Sequence, residues 1–270
     1  MLSQELSESS FERLVELMHA RAGVSLAGAR RPAIAQRLAP RLQRLGLEGH
    51  EAYVELIAAA DGEAELQMAV DLLTLPESHF FREPAHFDLL ASELSRLRPQ
   101  RLRLWSAATA FGEEAYSLAM LLADLQQAGR IGADWSVLGS DISERALRVA
   151  AEGIYAEDRL RHVTAERLLR HGLRGHAGSS GLVQMQAALR ERVEFSCLDL
   201  RQPVDRLGPF DAILLRHVLP YFDARTAQLL AERLMARLRP GGLFFTGASE
   251  AFGHVDLEPL APGAFRKKPR

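Results

Sequence analysis

Apolar positions follow one rhythm up to about residue 73 and another after Pro99. In FERLVELMHARAG the apolar residues at 11, 14, 15, 17 and 18 share a helical face, and Gly23 supplies a stop. RPAIAQRLAPRLQRLGL repeats that spacing with Ile34, Leu38, Leu42 and Leu45. Pro40 within it predicts a kink or a division, because proline lacks the N–H that an inner helical turn uses. HEAYVELIAAA and EAELQMAVDLLT complete a small all-helical domain over residues 1–73. From RLRLWSAAT onward, strands and helices alternate. WSVLGSD, VEFSCLDL, FDAILLRHV and GGLFFTGAS read as further strands. GEEAYSLAMLLADLQQAG, ISERALRVAAEG and ARTAQLLAERLMARLRPGG read as helices. That order predicts an α/β domain over residues 100–270, a doubly wound, mostly parallel sheet with helices on both faces. Residues 157–192 interrupt the alternation, and the Gly/Ser-rich GLRGHAGSSGLVQMQ predicts a small inserted β-hairpin or flap. Residues 74–99 stand between the domains as a linker, yet Phe80, Phe81 and Phe87 need a wall to pack against.

A chain of 270 residues, 47% apolar, 25% charged and with a formal net charge of −2, has the composition of a folded soluble protein. No apolar run approaches the roughly 18–20 residues of a spanning helix, and the start lacks the basic-then-apolar pattern of a secretory signal. The single cysteine, Cys197, is expected in the core of its strand and fits a reducing cytoplasm. Arginine supplies nearly all the positive charge. Arg21, Arg30, Arg31, Arg37, Arg41 and Arg44 fall in residues 17–47 with no acid among them. Arg37, Arg41 and Arg44 lie on one helical stripe, which reads either as a solvated face or as a surface that docks on an acidic helical bundle. Nucleic acid is not expected as a partner, since no aromatics interleave these arginines. His79 and His86, and His171 and His176, lack carboxylate or cysteine partners at ligand spacing, so no metal site is expected.

In doubly wound sheets ligands bind outside the carboxyl ends of the strands. The first strand runs into SAATAFGEE, whose small residues let a ligand approach the backbone. One glycine followed by Glu113 and Glu114 is not a phosphate-cradling loop, and the acids would repel a pyrophosphate. Asp141, at the end of VLGSD, suits a ribose, and Asp199, in CLDL, suits an adenine amino group or a water. Together these acids describe a pocket for a positively charged nucleoside, and S-adenosylmethionine fits that description.

The segments LLTLPESHFFREPAHF, LWSAATAFGEEAYSLAMLLAD, VLGSDISERALRVAAEGIY, VEFSCLDL, GPFDAILLRHVLPYFD and LRPGGLFFTGASEAF resemble, in order, the CheR-type chemotaxis receptor glutamate O-methyltransferases. RAGVSLAGARRPAIAQRLAPRLQRLGL resembles that family's helical domain. The resemblance implies a Rossmann-like class I methyltransferase that uses S-adenosylmethionine, releases S-adenosylhomocysteine and esterifies receptor glutamates. It assigns the FFRE segment to the domain linker and one pocket wall, Arg82 to the methionyl carboxylate and Ser78 to a pocket hydroxyl. Glu113 then takes the ammonium, Asp141 the ribose, and Asp199 with Leu200 the adenine side, while Arg216 and His217 help define the site. Tyr221, in HVLPYFD, is the candidate for orienting the acceptor. The inserted segment is a candidate for binding a receptor-tail peptide, and the helical domain for docking on the receptor's cytoplasmic bundle. Pro76, Phe111 and His217 depart from the family pattern. The rings at 111 and 217 are expected to narrow the pocket, which makes a catalytically impaired cofactor-binding module the second expectation.

Overall fold

The computed structural model describes residues 5–24, 26, 30–73 and 78–269. The junction at 74–77, Pro76 included, lies outside the described residues. The chain divides into two compact units, Met1–Pro76 with Pro220–Arg225, and Glu77–Leu219 with Thr226–Arg270.

The first unit is helical. Helix α1 (Glu8–Leu17) starts on Ser7, whose side chain accepts from Ser10 N, and continues as one π-helical turn to Gly23. Helices α2 (Arg31–Leu45), α3 (His50–Ala58) and α4 (Glu63–Leu73) follow. Leu14, Met18, Ile34, Leu38, Tyr53, Ile57 and Val70 form its buried interior. Helix α2 is not divided at Pro40. Pro40 and Gln36 are both on the exposed side, where water can satisfy the Gln36 carbonyl that proline leaves without a donor.

The second unit opens with α5 (Pro84–Leu97), then β1 (Arg101–Ala107), α6 (Glu113–Gln127), β2 (Asp134–Asp141) and α7 (Glu144–Glu152). An inserted module follows: β3 (Ile154–Ala156), α8 (Ala165–His171), β4 (Gly172–Arg174), β5 (Leu182–Met185) and α9 (Ala187–Arg190). The chain then returns through β6 (Val193–Cys197), β7 (Phe210–Leu214), α10 (Ala224–Ala236) and β8 (Leu238–Phe245), and ends in a hairpin of β9 (Leu257–Ala261) and β10 (Ala264–Lys267). The main sheet has the order β6-β2-β1-β7-β8-β10-β9, parallel except where β10 pairs with β8 and β9. The consecutive buried residues of β1, Leu104 to Ala107, require cover on both faces. Right-handed crossovers supply it. Steps from β1 to β2 to β6 put α6 and α7 on one face, and the step the other way from β7 to β8 puts α10 on the opposite face. The order reverses between β1 and β7, and a crevice therefore opens at their carboxyl ends.

The segment expected to be a linker is built into this unit. Phe80 is fully buried edge-on to Tyr155 at 5.0 Å, and Phe81 meets Phe87 at 5.1 Å in the same core as Leu90 and Leu94 of α5. The insertion is a small β-subdomain rather than a bare hairpin: a three-stranded antiparallel sheet in the order β3-β5-β4 with the helices α8 and α9, beginning at Ile154. Cys197 is exposed rather than in the core, because β6 is an edge strand and the residue sits at its last position.

Candidate active site

The loop after β1 is shaped by backbone that ordinary residues avoid. Ala108, Ala110 and Gly112 all have positive φ, and at Gly112 (φ +90°) a Cβ would lie 2.8 Å from Ala150 Cβ and 3.0 Å from the Tyr155 hydroxyl. Three bonds stitch the loop and its neighbours. Thr109 N donates to Ser140 O at 2.8 Å, Ala110 N to Asp141 Oδ2 at 2.9 Å, and Leu198 N to Asp141 O at 2.9 Å. The Tyr155 hydroxyl props the loop from the insertion, donating to Phe111 O at 2.7 Å. Glu113, Asp141 and Asp199 are thereby gathered at the carboxyl ends of β1, β2 and β6.

Each acid has its own environment. Glu113, at the first position of α6, has no exposed surface. Its Oε1 is paired with Arg159, from the turn Glu157–Leu160, while Oε2 is buried with no hydrogen-bond partner among the described residues. Asp141 also accepts from Ser143 N at 3.0 Å. Asp199 is held by Arg201 of its own loop, through the backbone N–H at 2.9 Å and the guanidinium at 2.8 Å. Leu200 is buried, and its carbonyl accepts from Arg233 at 2.7 Å.

The FFRE segment forms the adjoining wall. Phe81 N donates to Ser117 Oγ at 2.9 Å, and that hydroxyl donates to Glu113 O at 2.6 Å, so the last residue of GEEAYS fixes both wall and loop. Phe81 and Glu83 have positive φ. What holds them is Arg216. Its nearly inaccessible guanidinium donates to Glu114 at 2.9 Å, to Glu83 at 2.8 Å and to the Arg82 carbonyl. Burial opposes ionisation of Glu83, but the Arg216 hydrogen bond and charge more than offset it and hold the carboxyl below its usual range. The guanidinium of Arg216 therefore braces the wall. Arg82 and Ser78 are partly buried on this wall, and Ser78 presents its carbonyl to Arg159 at 3.3 Å.

His217 has φ +58°, a left-handed conformation in which asparagine and histidine are both enriched, so the substitution suits the backbone. Its ring packs against Gly247, where an added Cβ would come within 3.0 Å, and Nε2 lies 3.1 Å from Glu83. Burial, reinforced by the Arg82 charge, pushes its pKa down. His79 is likewise pushed down by burial and by His162, whose tilted ring lies 4.5 Å away, with Arg82 adding. Tyr221 belongs to Pro220–Arg225, which groups with the helical unit.

The residues fit a ligand bearing a cation. A buried carboxylate with one unused oxygen sits at the carboxyl end of the first strand, and two more acids line the same edge. The family models identify the source of this arrangement: "CheR methyltransferase, SAM binding domain" matches residues 76–262 and "CheR methyltransferase, all-alpha domain" matches residues 9–74. The chain belongs to the CheR methyltransferase family. It is 39% identical to a chemotaxis protein methyltransferase of Escherichia coli, over 93% of this chain and 87% of the relative. It is also 39% identical to that of Salmonella typhimurium (94% and 87%), and 37% identical to chemotaxis protein methyltransferase 2 of Pseudomonas aeruginosa (92% and 89%). The second unit is thus a SAM-binding methyltransferase domain, and the CheR domain boundary at 76 agrees with the wall belonging to it.

Sequence reasoning missed Arg159, Arg201 and Tyr155. Ser117 carried a signal, since it closes the GEEAYS segment. Arg159, in the mixed-charge run AEDRLRHV, carried none.

Of the helical-unit arginines, Arg41 is paired with Glu65 through two bonds, at 2.9 and 2.5 Å, and Tyr53 donates to the same carboxylate at 2.9 Å. Burial works against Glu65, yet the Arg41 and Tyr53 hydrogen bonds hold its pKa below the usual range. Arg37 donates to the Leu73 carbonyl at 2.9 Å, and Arg44 is exposed. The expected stripe is therefore divided. Arg41 is an internal brace, and the outward charge comes from Arg37 and Arg44.

Proposed function

We propose that this chain transfers the methyl group of S-adenosylmethionine to glutamate side chains of methyl-accepting chemoreceptors in the cytoplasm, giving γ-glutamyl methyl esters and S-adenosylhomocysteine. The observation that carries this reading is Glu113, a wholly buried carboxylate with one unused oxygen at the switch-point crevice of a CheR domain. When bound, the cofactor supplies a methyl group made electrophilic by its sulfonium.

The chain's own residues bind and orient. Glu113 takes the ammonium group, Arg82 the carboxylate, Ser78 contributes a hydroxyl, Asp141 takes the ribose, and Asp199 with Leu200 the adenine side. A receptor glutamate is already ionised at neutral pH, so no general base is needed. The rate gain then comes from alignment, with nucleophile and methyl about 3–3.5 Å apart, and from loss of water around the carboxylate. Tyr221 is the candidate for orienting the acceptor. Arg37 and Arg44 supply positive charge for docking on an acidic helical bundle.

The inserted module supports a tail-peptide site. Ile154 and Leu173 both stand in register with Gln184, so two exposed apolar side chains flank a glutamine across the small sheet, and β3 and β4 are its edges, at which a strand can add. The non-catalytic alternative is not favoured. His217 is accommodated by its backbone, and the relatives named methyltransferases match over most of the chain.

The test is transfer of labelled methyl from the cofactor to receptor cytoplasmic fragments. Label released as methanol by mild base supports esters, whereas base-stable label or none refutes the assignment.

A further inference from the structure

The acid that this reading assigns to the cofactor's ammonium already has a cation on it. Arg159 pairs with Glu113 Oε1 and, through the same Nη2, reaches the Ser78 carbonyl at 3.3 Å. Three residues on, the His162 ring packs at a tilt against His79, with centroids 4.5 Å apart. Residues 157–162 are thus fastened to the cofactor wall at Ser78 and His79 and to the acid itself. The two partners differ in freedom. Glu113 is rooted in α6 with no exposed surface, so nothing reaches its carboxylate unless a neighbour moves. Arg159, with 41% of its side chain exposed, is long and can turn into solvent.

We infer, resting on the cofactor reading above, that Arg159 is an internal competitor for the ammonium subsite: its guanidinium covers Glu113 and is exchanged for the ligand's amine on binding. The exchange replaces one cation by another, so the bound state does not leave the carboxylate as an uncompensated buried charge. Competition also makes the site selective. A ligand with an amino group gains the Glu113 contact in return for displacing Arg159. A nucleoside without the amino-acid arm has nothing to exchange and leaves Arg159 in place.

The experiment titrates wild type, Arg159→Gln and Arg159→Met with S-adenosylhomocysteine and with methylthioadenosine, which lacks the amino-acid arm, by calorimetry. Both variants remove the charge; Met keeps the bulk and Gln keeps a donor for the Ser78 carbonyl. Removing a half-exposed competing cation is expected to tighten S-adenosylhomocysteine binding by roughly three- to tenfold. Methylthioadenosine should change by less than about twofold, since its binding does not involve the exchange. In thermal melts the variants should unfold earlier alone yet show a larger upward shift with S-adenosylhomocysteine. Unchanged or weaker S-adenosylhomocysteine binding would overturn the inference and leave the cofactor reading intact, and so would parallel changes for both ligands. Failure of the wild type to bind S-adenosylhomocysteine at all would overturn both.

Discussion

At the scale of single residues, the positions of the acids were legible because each lies at a strand's end or in the segment that follows it. Glu113 follows GEE's only glycine, Asp141 closes VLGSD, and Asp199 lies in CLDL. Their partners were not legible. Arg159 and Arg201 meet the acids through side-chain reach across loops, which no periodicity records. Cys197 was misread because an apolar run does not reveal that its strand lies at the sheet edge. The histidines carry a pH prediction. His79 and His217 sit below the ordinary imidazole value of 6.5, held there first by burial. The unfolded chain then binds protons more readily, so their contribution is complete above that value and is lost as pH falls through it toward the depressed folded value. The melting temperature should fall on acidification from pH 7 to about 5.5, and His79→Asn should flatten the slope. An unaltered slope in that variant would remove His79 from the account.

At the scale of elements, the alternation after Pro99 gave the parallel strands and their helices, since period-2 and period-3.6 patterns are local properties. The β9–β10 hairpin and the third strand of the insertion escaped because short strands give weak periodicity. The FFREP segment was read as a linker that also forms one pocket wall, with its phenylalanines in need of a surface to pack on. Its place is decided by long-range partners, Ser117 for the Phe81 N–H and Arg216 for the Arg82 carbonyl and Glu83. Removing a buried guanidinium that serves two carboxylates leaves uncompensated charge. Arg216→Ala should therefore cost about 3–5 kcal/mol of stability in denaturant titrations. A loss below about 1 kcal/mol would mean the wall is held by its apolar packing instead.

At the scale of the whole molecule, the chain has two compact units, and the arginines of the helical unit illustrate how little charge counts alone reveal. Arg41→Ala should destabilise the chain by about 1–3 kcal/mol, because it strips both bonds from a partly buried Glu65. Arg44→Ala should leave the melting temperature unchanged while weakening association with an acidic receptor bundle, more so at low salt. Equal effects of the two on stability would contradict the separation between brace and docking charge.

The central claim is electrostatic: a cationic sulfur nucleoside is bound because the buried carboxylate of Glu113 receives its amine. Calorimetric titration of wild type and Glu113→Gln with S-adenosylhomocysteine tests it most directly. Losing a buried charge-assisted contact should weaken binding by roughly tenfold or more, with methylthioadenosine little affected. Equal affinity of wild type and Glu113→Gln for S-adenosylhomocysteine would contradict it.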